Sequence, residues 1–492
     1  MTSSNNRLEE IRHDAFETDS AQTLQRALGP TQLVLLGIGA IIGAGIFVAA
    51  GTVAANHAGP AIVLSFVLAA VACLCTALCY AEFAAMLPVS GSAYSYVYAT
   101  FGETAGWLIA WCLILEYLMA GATIAVGWSG YFVGLLGSMG FEISPAIASP
   151  PFAFSVAGGV VNTGAIVNLP ALLLLAVLTC ISLGRVQMSM RANACLVIVK
   201  LTVIGLFIVC GAFFVDSSNW HPFLPPNAGS FGEFGWSGVL RGAGIIFYAY
   251  LGFDAVSTAA RETRHPQRSM PIAIVGALVI CTLIYIAFAF VLTGLAPYTA
   301  LSVPNPVSVA VEHAGPRLVF LKATVEIGAL IGLTSVLLVL LYALSRILYA
   351  LARDGLVPAV FARLGARSRA PYAAVISGGL IASLIAGLFP VEALSQLISI
   401  GTLTAFMFVC GGVLVLRARR PEIERPFRVP LAPLVSGAGI LICGYLMAVL
   451  PEMTWRRFLV WMALGGALYL SYGRRHASEM RLSSLGAENG LA

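Results

Sequence analysis

Residues Gly37–Phe47 read GIGAIIGAGIF, and the fold turns on how that stretch is understood. Four glycines fall within nine positions of a segment otherwise apolar enough to cross a bilayer. A glycine weakens a helix by about 0.5–1 kcal/mol relative to alanine. Lipid offers no partner to a peptide group that leaves the helix. Close packing of two helices needs small residues four apart, whereas Gly37, Gly39, Gly43 and Gly45 cover more than one helix face. A break in the helix, with freed N–H and C=O groups turned to a ligand, accounts better for their number.

The rest of the chain supplies the membrane. Of 492 residues 59% are hydrophobic and 10% are charged, where soluble domains carry about 25% charged residues. Apolar runs near the ~20 residues needed for a spanning helix recur along the whole length. The chain reads as an all-α polytopic membrane protein with twelve spans, near 31–53, 60–87, 104–136, 166–184, 192–215, 236–260, 271–294, 318–352, 371–388, 393–416, 431–450 and 456–473. Residues 1–30 are polar and lack the apolar core of a signal peptide. The ten cysteines all lie in apolar spans, as small packing residues rather than a disulfide framework.

Charge sets the orientation. The chain has 25 arginines and two lysines. With the N-terminus inside, twenty of these cations fall in cytoplasmic segments and five outside, which obeys the positive-inside rule. Both termini are therefore expected in the cytoplasm, with the chain in the cytoplasmic (inner) membrane. The basic loop RARRPEIERPFR (417–428) is explained by the same rule, and nucleic-acid binding is not expected.

A second interrupted segment, GAGIIFYAYLGFDAVSTAA (242–260), carries Gly242, Gly244, Gly252 and the carboxylate of Asp254. It opens the second set of five spans as Gly37–Phe47 opens the first. Paired glycine-broken segments at matching places in two halves point to an inverted repeat with its site at the repeat interface. Five is odd, so the second set enters the membrane from the opposite side. The expected organisation is a cytoplasmic segment 1–30, a first repeat 31–215, a second repeat 236–416, two further helices in 431–473 and a cytoplasmic tail 474–492. Broken helix ends suit a zwitterion: N–H groups for a carboxylate, carbonyls for an ammonium.

Charges within the spans are the remaining candidates. A cation at bilayer depth costs ~2.5–3.5 kcal/mol on insertion scales, so a role is the default. Lys200, in NACLVIVKLTVIGLF, is one of only two lysines, and lysine is the cation whose charge is lost most readily on burial. Snorkelling to the interface is the alternative. Glu116 shares a helix face with Ala120, Thr123 and Gly127, a stripe expected to look into the bundle. Asp254 reads as functional, with capping of the second half-helix as its alternative. Glu82 and Glu326 are weaker candidates, paired near an interface. No H-E-x-x-H, G-x-S-x-G or G-x-x-x-x-G-K-[ST] motif occurs, and nothing suggests an enzyme, metal or cofactor.

These residues resemble the amino acid–polyamine–organocation superfamily, in particular a bacterial member of its cationic amino acid transporter branch. The resemblance runs from about residue 25 to 470 through GIGAIIGAGIFVAAG, PVSGSAYSYVYATFGE (88–103), GAIVNLPALL (164–173), YLGFDAVSTAARETRHPQRSMPIAI (250–274) and LYALSRILYALARDGLVP (341–358). It implies a five-plus-five inverted-repeat bundle with two additional C-terminal helices and discontinuous helices one and six. It implies a sodium-independent, proton-coupled amino acid carrier working by alternating access. Backbone from Ile41 through Gly43 and Ala44 to Gly45 would hold the substrate, Tyr248 would cover it, and Leu251 would lie near its side chain. Lys200 would stand where sodium-coupled relatives hold an ion, facing helix one and the hydroxyls of Thr334 and Ser335. Two positions depart from the pattern: Ala44 replaces a threonine common in bacterial relatives, and Arg261-Glu262 replaces a Glu-Glu pair. Neutral or broad specificity is expected from Tyr248, Leu251 and Leu333, while Glu116 and Asp254 are the carboxylates a cationic side chain would need. Obligatory amino acid/amine exchange and a non-transporting amino acid sensor remain open as alternatives.

Overall fold

The computed structural model describes residues 29–87, 92–154, 160–184, 190–258, 263–365 and 370–476. Arg261, Glu262, the start of the PVSGSAYSYVYATFGE motif at 88–91, and most of the two terminal segments lie outside the described residues. The chain is a multi-pass bundle of helices. In chain order the principal ones are α1 (Pro30–Ile41), α2 (Ile62–Met86), α3 (Glu103–Ser138), α4 (Leu169–Ser182), α5 (Met190–Ala212), α6 (Gly235–Ile246) and α7 (Pro266–Leu295). They are followed by α8 (Pro306–His313), α9 (Val319–Arg353), α10 (Tyr372–Leu388), α11 (Val391–Arg419), α12 (Ala432–Ala448) and α13 (Glu452–Leu468). A two-stranded antiparallel hairpin, Phe152–Phe154 with Val160–Asn162, lies between α3 and α4.

Helical segments coincide with each of the twelve stretches read as spans. Among the described residues, six are long and apolar enough by themselves to cross a membrane, and the pair Ala432–Ala448 and Glu452–His476, bent by 109°, makes up to seven. The others are short. A 17-residue helix such as α10 rises only ~26 Å against a ~30 Å hydrocarbon core. One long run, Gly45–Met86, contains Gly59 at φ 59 followed by Pro60, where the sequence reading divides the first span from the second.

Local chemistry sets several helix starts. Pro30 opens α1, where its missing N–H is no loss. Asn168 caps α4 by accepting from the Ala171 N–H, and its side chain is held by Ser129 of α3 at 2.7 Å. Against lipid stand large apolar side chains such as Leu283, Leu380 and Leu441, while the interior is packed from small residues, aliphatics and aromatics. In the core α3 runs between α9 and α11, and α7 lies against α1 and α2.

The glycines of the opening stretch divide into two kinds. A Cβ on Gly37 would lie 2.7 Å from the Ala277 Cβ, and one on Gly45 would lie 2.2 Å from the Ala249 Cβ and 2.4 Å from its Cα. Those two glycines let neighbouring segments close in, so packing claims more of the run than its sequence suggested. A Cβ on Gly43 would meet nothing closer than Val336 at 3.6 Å. Overpacking costs about 1–3 kcal/mol. Gly45→Ala is therefore expected to lower the melting temperature and the folded yield in detergent, with Gly43→Ala close to wild type. Equal melting temperatures for the two variants would contradict this division.

Candidate functional site

Helix α1 ends at Ile41; Ile42 is extended at φ −75, ψ 100, and a wide helical turn resumes over Gly45–Ala49. Helix α6 ends at Ile246, tightens into a 3-10 turn over Phe247–Tyr250, and passes through extended Leu251 to Gly252 at φ 118. A short helix, Ala255–Thr258, follows. The two interruptions touch. Gly45 packs on Ala249, and a Cβ on Gly252 would lie 2.6 Å from the carbonyl carbon of Ala40. Gly252 thus needs to be glycine twice over, for its positive φ and for this approach.

A break frees carbonyls, and side chains from neighbouring helices donate to them. Lys200 of α5, 2% exposed, donates from Nζ to the oxygens of Gly39 at 3.1 Å and Ile42 at 3.4 Å. Tyr285 of α7 reaches both breaks, its hydroxyl lying 3.0 Å from the Ile41 oxygen and 2.8 Å from that of Ala249. Tyr131 of α3 donates to Phe47 O at 2.6 Å, and Ser399 of α11 to Ile245 O at 2.8 Å. Gly43, Ala44 and Gly45 open the resumed stretch, where N–H groups have no carbonyl of their own helix ahead of them.

Between the breaks lies a cavity of about 50 Å³, enough for several waters or part of a small ligand. Ile41, Gly43, Ala44, Gly45, Tyr248, Leu251 and Asp254 line it. The opposite wall is Tyr117, Ala120 and Ile124 of α3 with Val336, Val339, Leu340 and Ala343 of α9. The side chains facing the space are mostly apolar; the polar groups are backbone, two tyrosines and Asp254. Asp254 also accepts from the Gly252 N–H at 3.1 Å, so it closes the second break upon itself.

Other sequence candidates fall elsewhere. Glu116 is buried outside the cavity lining and accepts from the Thr402 hydroxyl of α11 at 2.7 Å, close enough to Asp254 for their charges to interact. Of its stripe, Ala120 lines the cavity, Gly127 packs against Val48, and Thr123 is buried. Thr334 and Ser335 donate to carbonyls of their own helix, Leu330 and Gly332, and the stem of Lys200 packs on Gly332. Leu333 is fully buried away from the cavity. Glu82 accepts from Arg417 through both oxygens, and from the Val429 N–H at 2.7 Å, so the basic loop after α11 is stapled to α2. Glu326, by contrast, has no hydrogen-bond partner on either oxygen.

Tyr285 and the α9 wall were not among the sequence candidates. Val336, Val339, Leu340 and Ala343 repeat at helical spacing, a signal that marks one face but not what it faces. Tyr285 stands with Thr282 as one of two hydroxyls in a largely apolar run, CTLIYIAFAF. Its partners lie 244 and 36 residues away, beyond the reach of local pattern.

The family model described as amino acid permease matches residues 28–468. The chain belongs to the amino acid permease family. This permease is 43% identical to a methylthioribose transporter of Bacillus subtilis (strain 168), over 95% of this chain and 98% of that protein. It is 40% identical to the branched-chain amino acid permease BcaP of the same organism, over 94% and 96% of the two chains. It is 39% identical to the chloroplastic cationic amino acid transporter 9 of Arabidopsis thaliana, over 82% of this chain and 68% of that one. The family and these relatives are transporters, not enzymes.

Removing the Tyr285 hydroxyl takes away the single O–H that two interior carbonyls share, at about 1–3 kcal/mol for an unsatisfied buried group. Tyr285→Phe is expected to lower the melting temperature of the purified permease measurably. A melting temperature equal to wild type would show that the breaks do not depend on this side chain.

Proposed function

We propose that this permease is a secondary active carrier that moves amino acids with uncharged, largely apolar side chains across the cytoplasmic membrane by alternating access. In this reading 31–215 and 236–416 are inverted repeats, the broken first helix of each forms the site, and both termini are cytoplasmic. The observation that carries it is the contact of two interrupted helices, Ile41–Gly45 against Phe247–Gly252, around a cavity lined by their backbone.

The substrate carboxylate would sit at the N–H groups of Gly43, Ala44 and Gly45, where a helix start favours an anion. The ammonium would turn to the carbonyl ends of α1 and the Phe247–Tyr250 turn. The side chain would lie among Leu251, Ile124, Val336 and Leu340, with Tyr248 as cover. This wall supports an apolar side chain, and the relative named for branched-chain amino acids fits it. Ala44 adds no hydroxyl, so recognition rests on peptide groups.

Sodium-independent, proton-coupled transport is the second half of the proposal. Lys200 fills the position between α1 and α9 with its own charge and holds two carbonyls of the first break. On losing its proton it would keep donors but lose charge assistance, which roughly doubles hydrogen-bond strength. The grip on Gly39 and Ile42 would loosen, coupling proton release to movement of α1. Asp254 and Glu116 would adjust the same region from the far side of the cavity, and Thr334 and Ser335 from α9.

In proteoliposomes Lys200→Ala is expected to keep its fold and lose accumulation driven by an inward proton gradient. Wild-type accumulation by the variant would remove Lys200 from coupling. Uptake that needs internal substrate and ignores the gradient would instead establish exchange, and binding without flux would establish a sensor. Gly43→Leu is expected to weaken amino acid binding by at least ~10-fold, about 1.4 kcal/mol, with the melting temperature of the empty protein little changed. Thermal shifts against the twenty amino acids and methylthioribose identify the ligand, because binding stabilises the folded state; stabilisation by methylthioribose alone would overturn the amino acid reading.

A further inference from the structure

Away from the cavity, α8 lies across the end of the bundle near the resumed half of the first span. A Cβ on Gly51 would lie 2.2 Å from Pro306, and one on Gly130 would lie 2.6 Å from Pro304, so this short helix is pressed onto both the first span and α3. Beneath it is Glu326 of α9, fully buried, with neither carboxylate oxygen hydrogen-bonded. Beside it is Ser308 of α8, 1% exposed, its hydroxyl near the Glu326 carboxyl but making no hydrogen bond of normal geometry. Asn305 stands at the start of α8 but its side chain makes no capping bond. Its Nδ2 and Glu326 Oε1 both lie 3.0 Å from where a Cβ on Gly134 would be, so the absence of that Cβ keeps a small polar space open between them.

An ionised carboxylate cannot stay in such a place unsupported, because the cost of burying a charge without hydrogen bonds far exceeds that of neutralising it. The nearby groups support it only in part. Lys322 Nζ is 4.0 Å from Glu326 but 2.5 Å from Glu312, its closer partner. Tyr131 of α3 faces the same region, with its hydroxyl donated to Phe47 O at 2.6 Å. His313, at the far end of α8, is engaged through Nδ1 with Val309 O.

We propose that Glu326, Ser308 and Asn305 form a proton-binding chamber under α8, separate from Lys200, in which the Glu326 carboxyl holds a proton and water bridges it to Ser308 and Asn305. Uptake is a single transfer from hydronium to the carboxylate, leaving a water molecule, and needs no other reactant. The neutral acid can donate to Ser308 or to bridging water, which the bare carboxylate cannot. Protonation thereby ties α8 to α9, and lifting α8 would admit water and release the proton. The chamber does not rest on the transport reading, since it concerns the resting protein and needs no substrate.

The test is infrared difference spectroscopy of the purified full-length permease during pH titration, comparing wild type with Glu326→Gln and Ser308→Ala. A protonated-carboxyl band present near neutral pH, lost in Glu326→Gln, retained in Lys200→Ala and displaced in Ser308→Ala is expected. Wild-type and Glu326→Gln spectra that are identical in the carboxyl region at every pH would overturn the chamber. Should Glu326→Gln not be recovered folded, Ser308→Ala decides: a displaced band supports the chamber, and an unchanged spectrum contradicts it.

Discussion

Peptide groups freed in a membrane interior must find partners from the protein itself, because lipid supplies none. In this chain Lys200 and Tyr285 reach into the two breaks from α5 and α7, and Tyr131 and Ser399 of α3 and α11 donate to carbonyls of the helical turns beside them. The breaks are thus products of the surrounding bundle as much as of their own glycines. Tyr285 is the clearest case, since one hydroxyl lies within reach of both breaks and joins α7 to the line where they meet.

The carbonyls are taken up by the scaffold, while the N–H ends at Gly43–Gly45 open toward a cavity walled by aliphatic side chains. On the proposed reading that asymmetry would give a fixed backbone pole for charge and a separate apolar face for a side chain, and discrimination among substrates would fall to the α3 and α9 walls. Relatives 43% and 40% identical to this chain are named for quite different cargo, methylthioribose and branched-chain amino acids.

Much of this was legible in the sequence, and unevenly. The membrane class followed from composition, and the two interrupted segments from glycine spacing and Asp254, because both signals are local. The sorting of those glycines was not legible: Gly37 and Gly45 allow close contact with Ala277 and Ala249, distant residues that no pattern around position 37 or 45 reveals. Glu116 looked like a pocket carboxylate from its small-residue stripe, yet its oxygen is bonded to Thr402, nearly three hundred residues on. Short helices such as α4 and α10 fell below the length of a full span, since apolar sequence marks where a helix lies better than where its turns end. The silent candidate was Glu326, whose lack of hydrogen bonds shows only in the packed interior.

The most direct test of the account is an experimental density map of the permease in a lipid nanodisc with its amino acid bound. The account predicts non-helical backbone at Ile42–Gly43 and Leu251–Phe253, ligand density against the N–H groups of Gly43 to Gly45, and the Lys200 ammonium on the carbonyls of Gly39 and Ile42. Unbroken helices through 30–58 and 235–258, or a ligand bound away from both segments, would contradict it.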